Sequence, residues 1–460
     1  MNNHNPALRS QPETHPAGLG NAARVPASAV TFGIFIYFLI DFFLHLSARI
    51  PVYGILRPTL LLVLIIVVSL YMQRDKFKGW TRDPIVSALL ALMIYLVISL
   101  PLVEWPGSVV KNNLSGFVKA IVFFYFAVLL VDSDRRLKIF LVVFIGCQVF
   151  RVLEPLFLHI TEGYWGSKTH LGHGEFSQRL SGAPADVINP NELGFVIATA
   201  IPFLHYLLWP AGAKSKILYL ALVPPLLYAL ILTQSRGAFL ALLVVGFFVF
   251  KESSRKFGLI VLAVMIALAG WQVMTAEQKD RYLSLVGESE TGNARTADGR
   301  IQGMMKEFTL GFERPLVGHG LGTTPEAKTH ILGSRQASHN LYAELLIELG
   351  LIGTFLFLRF LFRVYKGLAE SHKRIARGHP NLFYLHLNKA MTAVFWMYVV
   401  YSLNYWGLSQ YYWYLFAGTV VVFNRLTLLN PNTQESEKSE PVRVLAKNRF
   451  SNLVDLSGRR

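Results

Sequence analysis

Ser338-His339-Asn340-Leu341-Tyr342-Ala343-Glu344-Leu345-Leu346-Ile347-Glu348-Leu349-Gly350-Leu351-Ile352-Gly353 passes from the end of a long polar loop into a mainly apolar run that continues to about residue 362. A run of that length is what a helix needs to cross the hydrocarbon layer of a membrane. Its polar start is a histidine–asparagine pair, and histidine is the side chain best suited to move protons near neutral pH. At the head of a spanning helix it reaches both water and a lipid-borne substrate. Gly350 and Gly353, three apart on the same run, fit close helix packing of the small-residue kind.

Outward from this segment, comparable apolar runs recur at about 30–46, 58–72, 85–103, 114–131, 138–158, 188–208, 215–233, 237–250, 257–275, 340–362, 388–406 and 408–424. About twelve membrane helices are therefore expected by the hydropathy-window rule. The composition agrees: 53% of the 460 residues are hydrophobic and 16% charged, with a mean hydropathy of +0.41. The formal net charge of +16 could point to nucleic acid, but the basic residues gather in alternate loops. Arg74, Lys76, Lys78 and Arg82 form one group, then Arg135, Arg136 and Lys138, then Lys214 and Lys216, then Lys251, Arg255 and Lys256, and finally residues 363–389. That is the positive-inside pattern, and it predicts both termini in the cytoplasm and no nucleic-acid partner. Residues 1–29 are polar, lack a cleavable apolar core and read as a disordered cytoplasmic tail. Residues 425–460 read as a basic cytoplasmic tail. Between the tails the expected order is helices 1–9 over 30–275 with an outer loop at 159–187, a large outer loop at 276–339, and helices 10–12 over 340–424.

The second loop carries eight Lys/Arg against eight Asp/Glu and amphipathic pieces such as Gly299–Phe312, so a small, partly helical cap is expected. Three helices that start on the outer side carry punctuation at their heads: Asn189-Pro190-Asn191-Glu192, Ser235-Arg236-Gly237 and Ser338-His339-Asn340. The first has a capping residue, a proline at the first helical position and an acid three residues on. Helix N-termini present free N–H groups and positive dipole ends, which favour an anion such as phosphate. Arg236 is read either as an interfacial snorkelling arginine or as an anion ligand. Arg179 and Arg300 stand on the same side, and a guanidinium matches phosphate oxygens in a bidentate way that lysine cannot. Arg151 and Glu154, three apart in an apolar helix, are accounted for by an intramembrane ion pair. His170 and His173 lack the acid or cysteine partners of a metal site, His319 reads as a turn residue, and Cys147 is the single cysteine. Neither a Walker loop nor a dinucleotide fingerprint is present. No metal and no cofactor are expected.

His339-Asn340, nine residues, then Gly350-x-x-Gly353 resembles the signature of the bacterial O-antigen ligase and polymerase superfamily. Arg236-Gly237-Ala238-Phe239-Leu240 fits a second signature associated with the ligases. Asp298-Gly299-Arg300 through Gly318-His319-Gly320, and Arg179 through Asn189-Pro190-Asn191, are similar to the stretches that precede these in the family. The resemblance implies an all-α polytopic membrane glycosyltransferase of GT-C-like fold in the Gram-negative inner membrane, with a periplasmic active site. Its donor would be a glycan on undecaprenyl pyrophosphate and its acceptor a hydroxyl of the lipid A–core oligosaccharide, without metal or ATP. By that analogy His339 is the general base, Arg236, Arg300 and Arg179 hold the pyrophosphate, and Asn340, Asn191 and Ser235 support them.

Two other readings stay open. A polymerase would take a second lipid-linked glycan as acceptor, and Arg300 to Gly311 fits an arginine–ten–glycine spacing of that group. A polyprenyl-glycan transporter would bind the same lipid without reacting. It is expected to show symmetric halves and midplane helix breaks, whereas the polar features here crowd one face.

Overall fold

The computed structural model describes residues 26–172, 175–275, 278–279, 283, 292–333, 338–377, 381–405 and 407–429, and within them each of the apolar runs is helical. The first nine are α1 Ala29–Leu44, α2 Pro58–Met72, α3 Pro84–Ser99, α4 Leu114–Leu130, α5 Asp134–Glu162, α6 Pro190–Leu208, α7 Ala213–Thr233, α8 Arg236–Glu252 and α9 Lys256–Val273. The second long loop contains α10 Gly292–Gly311 and α11 Thr324–Leu332. After it come α12 Leu341–Arg377, α13 Leu382–Tyr401 and α14 Tyr411–Leu429. Among the described residues, six segments are long and apolar enough to cross a membrane by themselves, or seven if the bent pair Arg74–Arg82 and Pro84–Ser99 is one span. The chain is thus a polytopic membrane protein. Most of the two tails lies outside the described residues.

Local chemistry sets where these helices begin. Asp83 accepts from the N–H groups of Ile85 and Val86 ahead of α3. Asn189 and Glu192 close a reciprocal capping box on α6, with Pro190 at the first helical position. Ser235 accepts from Ala238 N at the head of α8, and Asn340 Oδ1 from Tyr342 N and Ala343 N at the head of α12. Each of these caps satisfies donors that the helix itself cannot.

Small residues and aromatics then lock the bundle. A Cβ on Gly194 of α6 would lie 2.5 Å from the Ala238 methyl of α8, and one on Gly418 of α14 would lie 2.9 Å from Phe124 O of α4. Phe195 of α6 sits with Tyr398, Tyr401, Tyr405 and Tyr412 around it, ring centroids 4.8–5.5 Å away. In this way α6, α8 and α13 are packed together next to α14.

In its backbone the structure departs from the sequence reading in two places. The fold is not purely helical: Gly166–Gly172 (β1) and Glu175–Leu180 (β2) form an antiparallel hairpin in the first long loop, with Ser167 opposite Arg179. More consequential is α12. Gly350 has φ 63° and ψ −171°, so the 37-residue helix is broken there. Residues 315–320 lie in the break as a strap. Leu351 N donates to Pro315 O at 2.6 Å and Ile352 N to Leu316 O at 3.3 Å. In the other direction His319 N donates to Ile347 O at 2.8 Å and Gly320 N to Glu348 O at 3.0 Å. A Cβ on Gly350 would stand 2.5 Å from Leu316 C and O. Gly350 is therefore needed for its backbone and for the close strap, and not for helix–helix packing as its spacing implied. Gly353 does serve packing, since a Cβ there would lie 2.7 Å from the Tyr95 ring of α3.

Candidate functional site

Three helix heads meet at one end of the bundle, and the turn that follows α13 joins them. Tyr401 Oη donates to Asn191 O at the start of α6 at 2.6 Å. The same ring lies 3.4 Å from where a Cβ of Gly237, at the start of α8, would be. Leu341 N, at the start of α12, donates to Ser402 O at 2.9 Å, and Asn340 Nδ2 to Leu403 O at 3.1 Å. Tyr405 Oη reaches Glu192 Oε1 at 3.3 Å. The N-termini singled out from sequence are therefore neighbours, and their partially positive ends share one region.

The side chains at this end differ in their surroundings. His339 is exposed, yet the residues on either side of it, Ser338 and Asn340, are each only 2% exposed. Asn340 is held at four points, by its two capping bonds, by Leu403 O and by Met304 Sδ at 3.0 Å. The imidazole is thus presented to the surroundings from a backbone fixed on both flanks. Arg236, at the first turn of α8, is buried. Arg179 is buried as well, and two of its donors are committed: Nε to Thr233 O at 2.9 Å and Nη2 to Asn191 Oδ1 at 2.8 Å. It ties β2 to the end of α7 and the start of α6. Ser235 caps α8, as its position implied. Arg300 lies on α10, and its side chain falls outside the described residues, as do the His170 side chain and the whole of His173.

The intramembrane pair expected between Arg151 and Glu154 does not form. Arg151 instead grips Asp186 with both Nε, at 2.7 Å, and Nη2, at 3.0 Å, while Glu154 pairs with Arg49. Asp186 takes two donors of Arg151 at once, the stronger bidentate arrangement, and Glu154 is satisfied by Arg49. Asp186 is fully buried and also lies 3.2 Å from His45 Nδ1.

Several polar residues at this end escaped the sequence reading. Glu344 Oε2 accepts from Gly407 N at 2.8 Å and Leu408 N at 3.2 Å. Glu348 accepts from Gly322 N at 2.7 Å and from the Thr324 hydroxyl at 2.8 Å. Two acids four apart in an apolar run were the available signal, because ionisable residues there rarely go without a partner. His319, only 1% exposed, is more than a turn residue. Its Nδ1 meets Glu104 and its ring stacks on Trp105 with centroids 5.4 Å apart. Together, an exposed imidazole, a buried guanidinium and three helix heads can accept a proton and hold an anion.

Residues 220–358, from α7 to the first half of α12, match the protein family described as O-antigen ligase. No curated protein matches the chain. The matched segment contains Arg236, Arg300 and His339, whereas Arg179 and Asn191 precede it.

Proposed function

We propose that the chain, whose residues 220–358 match the family described as O-antigen ligase, is a member of the O-antigen ligase and polymerase superfamily and acts as an O-antigen ligase. The proposed donor is a glycan on undecaprenyl pyrophosphate and the acceptor a hydroxyl of lipid A–core. The protein would cross the Gram-negative inner membrane twelve times in a GT-C-like arrangement, with residues 1–29 and 425–460 in the cytoplasm and the His339 end in the periplasm. The observation that carries the reading is His339 itself, an exposed imidazole on a clamped backbone beside three helix heads and Arg236.

In the proposed step, an imidazole nitrogen of His339 takes the proton of the acceptor hydroxyl. The hydroxyl oxygen bonds to the anomeric carbon as the bond from that carbon to the pyrophosphate oxygen breaks. The departing pyrophosphate gains charge, which Arg236 and Arg300 stabilise together with the helix N-termini. Arg179 holds Asn191 and Thr233, so its main part is to fix the head of α6, and its charge adds to the attraction for phosphate at that end. Asn340 and Ser235 act as caps that fix the approach of α12 and α8. No metal or nucleotide enters the step.

The polymerase reading rests on the Arg300-to-Gly311 spacing. A Cβ on Gly311 would lie 2.7 Å from Leu346 Cγ, so packing of α10 on α12 is a sufficient reason for that glycine. That spacing is therefore no specific support for the polymerase, and the preference for the ligase rests on the Arg236–Leu240 signature.

The test is reconstitution with lipid-linked glycan, with and without lipid A–core. Product on the core supports the ligase, and lengthened lipid-linked chains replace it with the polymerase. His339→Ala is expected to lower transfer at least about a hundredfold, within the range of general-base contributions, with donor binding retained. Undiminished transfer would remove His339 as the base.

A further inference from the structure

Glu307 on α10 is a buried carboxylate that the proposed step does not use. It is 4% exposed, and among the described residues each of its oxygens has a partner: Lys328 Nζ of α11 lies 2.7 Å from Oε1, and the Ser338 hydroxyl donates to Oε2 at 2.7 Å. Ser338 Oγ in turn accepts from Asn340 N at 3.0 Å. A serine hydroxyl has one proton to give, and the charged oxygen is its strongest acceptor. The result is a line of contacts from Lys328 through Glu307 and Ser338 to Asn340, and the residue it straddles is His339. Arg300 stands seven residues before Glu307 on the same helix, about two turns away.

Buried ion pairs contribute little net stability compared with apolar packing, and their best-attested use is to fix one arrangement among several. Here the arrangement is the backbone on either side of an exposed imidazole. A displacement of about 1 Å at a reacting group is enough to cost a large factor in rate. We propose that Glu307, held by Lys328, is a positioning residue that fixes His339 through Ser338. It couples the place of the base to the helix that carries Arg300. The proposal rests on the assignment of His339 as the base.

The experiment uses the full chain in lipid nanodiscs, with lipid-linked glycan as donor and lipid A–core as acceptor. Ser338→Ala cuts the link and leaves the Lys328–Glu307 pair in place. It is expected to lower kcat about tenfold with donor KM unchanged within twofold, and Ser338→Thr, which keeps the hydroxyl, is expected to recover most of the loss. Glu307→Ala is expected to lower kcat at least as much as Ser338→Ala. Amide hydrogen exchange at residues 339–343 is expected to speed up in Ser338→Ala while protection elsewhere in the bundle is unchanged. A wild-type kcat in Ser338→Ala, equal loss in Ser338→Ala and Ser338→Thr, or unchanged exchange at 339–343 each overturns the proposal. If the wild-type chain makes no product with either acceptor, the ligase reading fails separately. The exchange comparison then still decides the anchor: faster exchange supports it and unchanged exchange overturns it.

Discussion

The loop between α5 and α6 is tied to the bundle by charged side chains, and the loop between α9 and α12 chiefly by backbone. In the first, Arg151 holds Asp186 and Arg179 holds the carbonyl of Thr233 and the side chain of Asn191. In the second, the strap 315–320 exchanges four main-chain hydrogen bonds with the two sides of the Gly350 break. The difference predicts opposite sensitivities. A loop held by side-chain charge fails when one partner is removed, because the other is left buried and unpaired. A loop held by backbone tolerates most side-chain changes and fails where only glycine fits.

The largest effect is expected at Gly350. A valine there would meet the Leu316 carbonyl and adopt a positive-φ, extended-ψ conformation that is essentially glycine's alone, costing about 1–3 kcal/mol. Undocking the strap would forfeit four hydrogen bonds worth about 1 kcal/mol each. Gly350→Val is therefore expected to destabilise the strap region by at least about 5 kcal/mol, read as lost hydrogen-exchange protection at 315–320 and lost transfer. Retained protection would show that the backbone pairing is not what holds the second loop. Next is Arg151→Met, which strands the Asp186 carboxylate and is expected to cost about 3–5 kcal/mol in thermal unfolding. The double variant Arg151→Met, Asp186→Asn should recover much of it. If the single variant unfolds like the parent, the contrast between the loops collapses from the other side.

The smallest effect is expected at His45, whose Nδ1 lies 3.2 Å from the same Asp186 carboxylate. His45 is partly exposed, so His45→Gln is expected to cost no more than about 1 kcal/mol in thermal unfolding. A loss as large as that of Arg151→Met would make His45, and not Arg151, the main holder of the first loop.

The helices and their caps were legible because each depends on residues close together in sequence. The Asn189–Glu192 capping box is an example: four residues contain the whole device. The meeting of the three helix heads was not legible, since it joins Asn191, Leu341 and the Tyr401 turn across the fold. Nor was the partner of Arg151. Glu154 lies one helical turn away and Asp186 far along the chain, and only the fold decides between them. The hairpin was hidden because residues 166–180 lack an apolar alternation that would mark strands. Gly350 misled for a different reason. Its spacing to Gly353 fits small-residue packing, and no local feature says that a strap 30 or more residues upstream will dock in the helix. Glu307 had no sequence signal, since an acid in an amphipathic loop helix reads as solvated.

The Gly350 break also bears on the order in which the molecule can assemble. An unbroken α12 would bond Leu351 N to Ile347 O and Ile352 N to Glu348 O. The docked strap replaces those two bonds with four. In lipid, backbone groups cannot be left without partners, but glycine accepts helical and left-handed conformations alike. The segment can therefore enter the membrane as one continuous rod and open at Gly350 only when residues 315–320 arrive, so that no donor or acceptor need be stranded on the way.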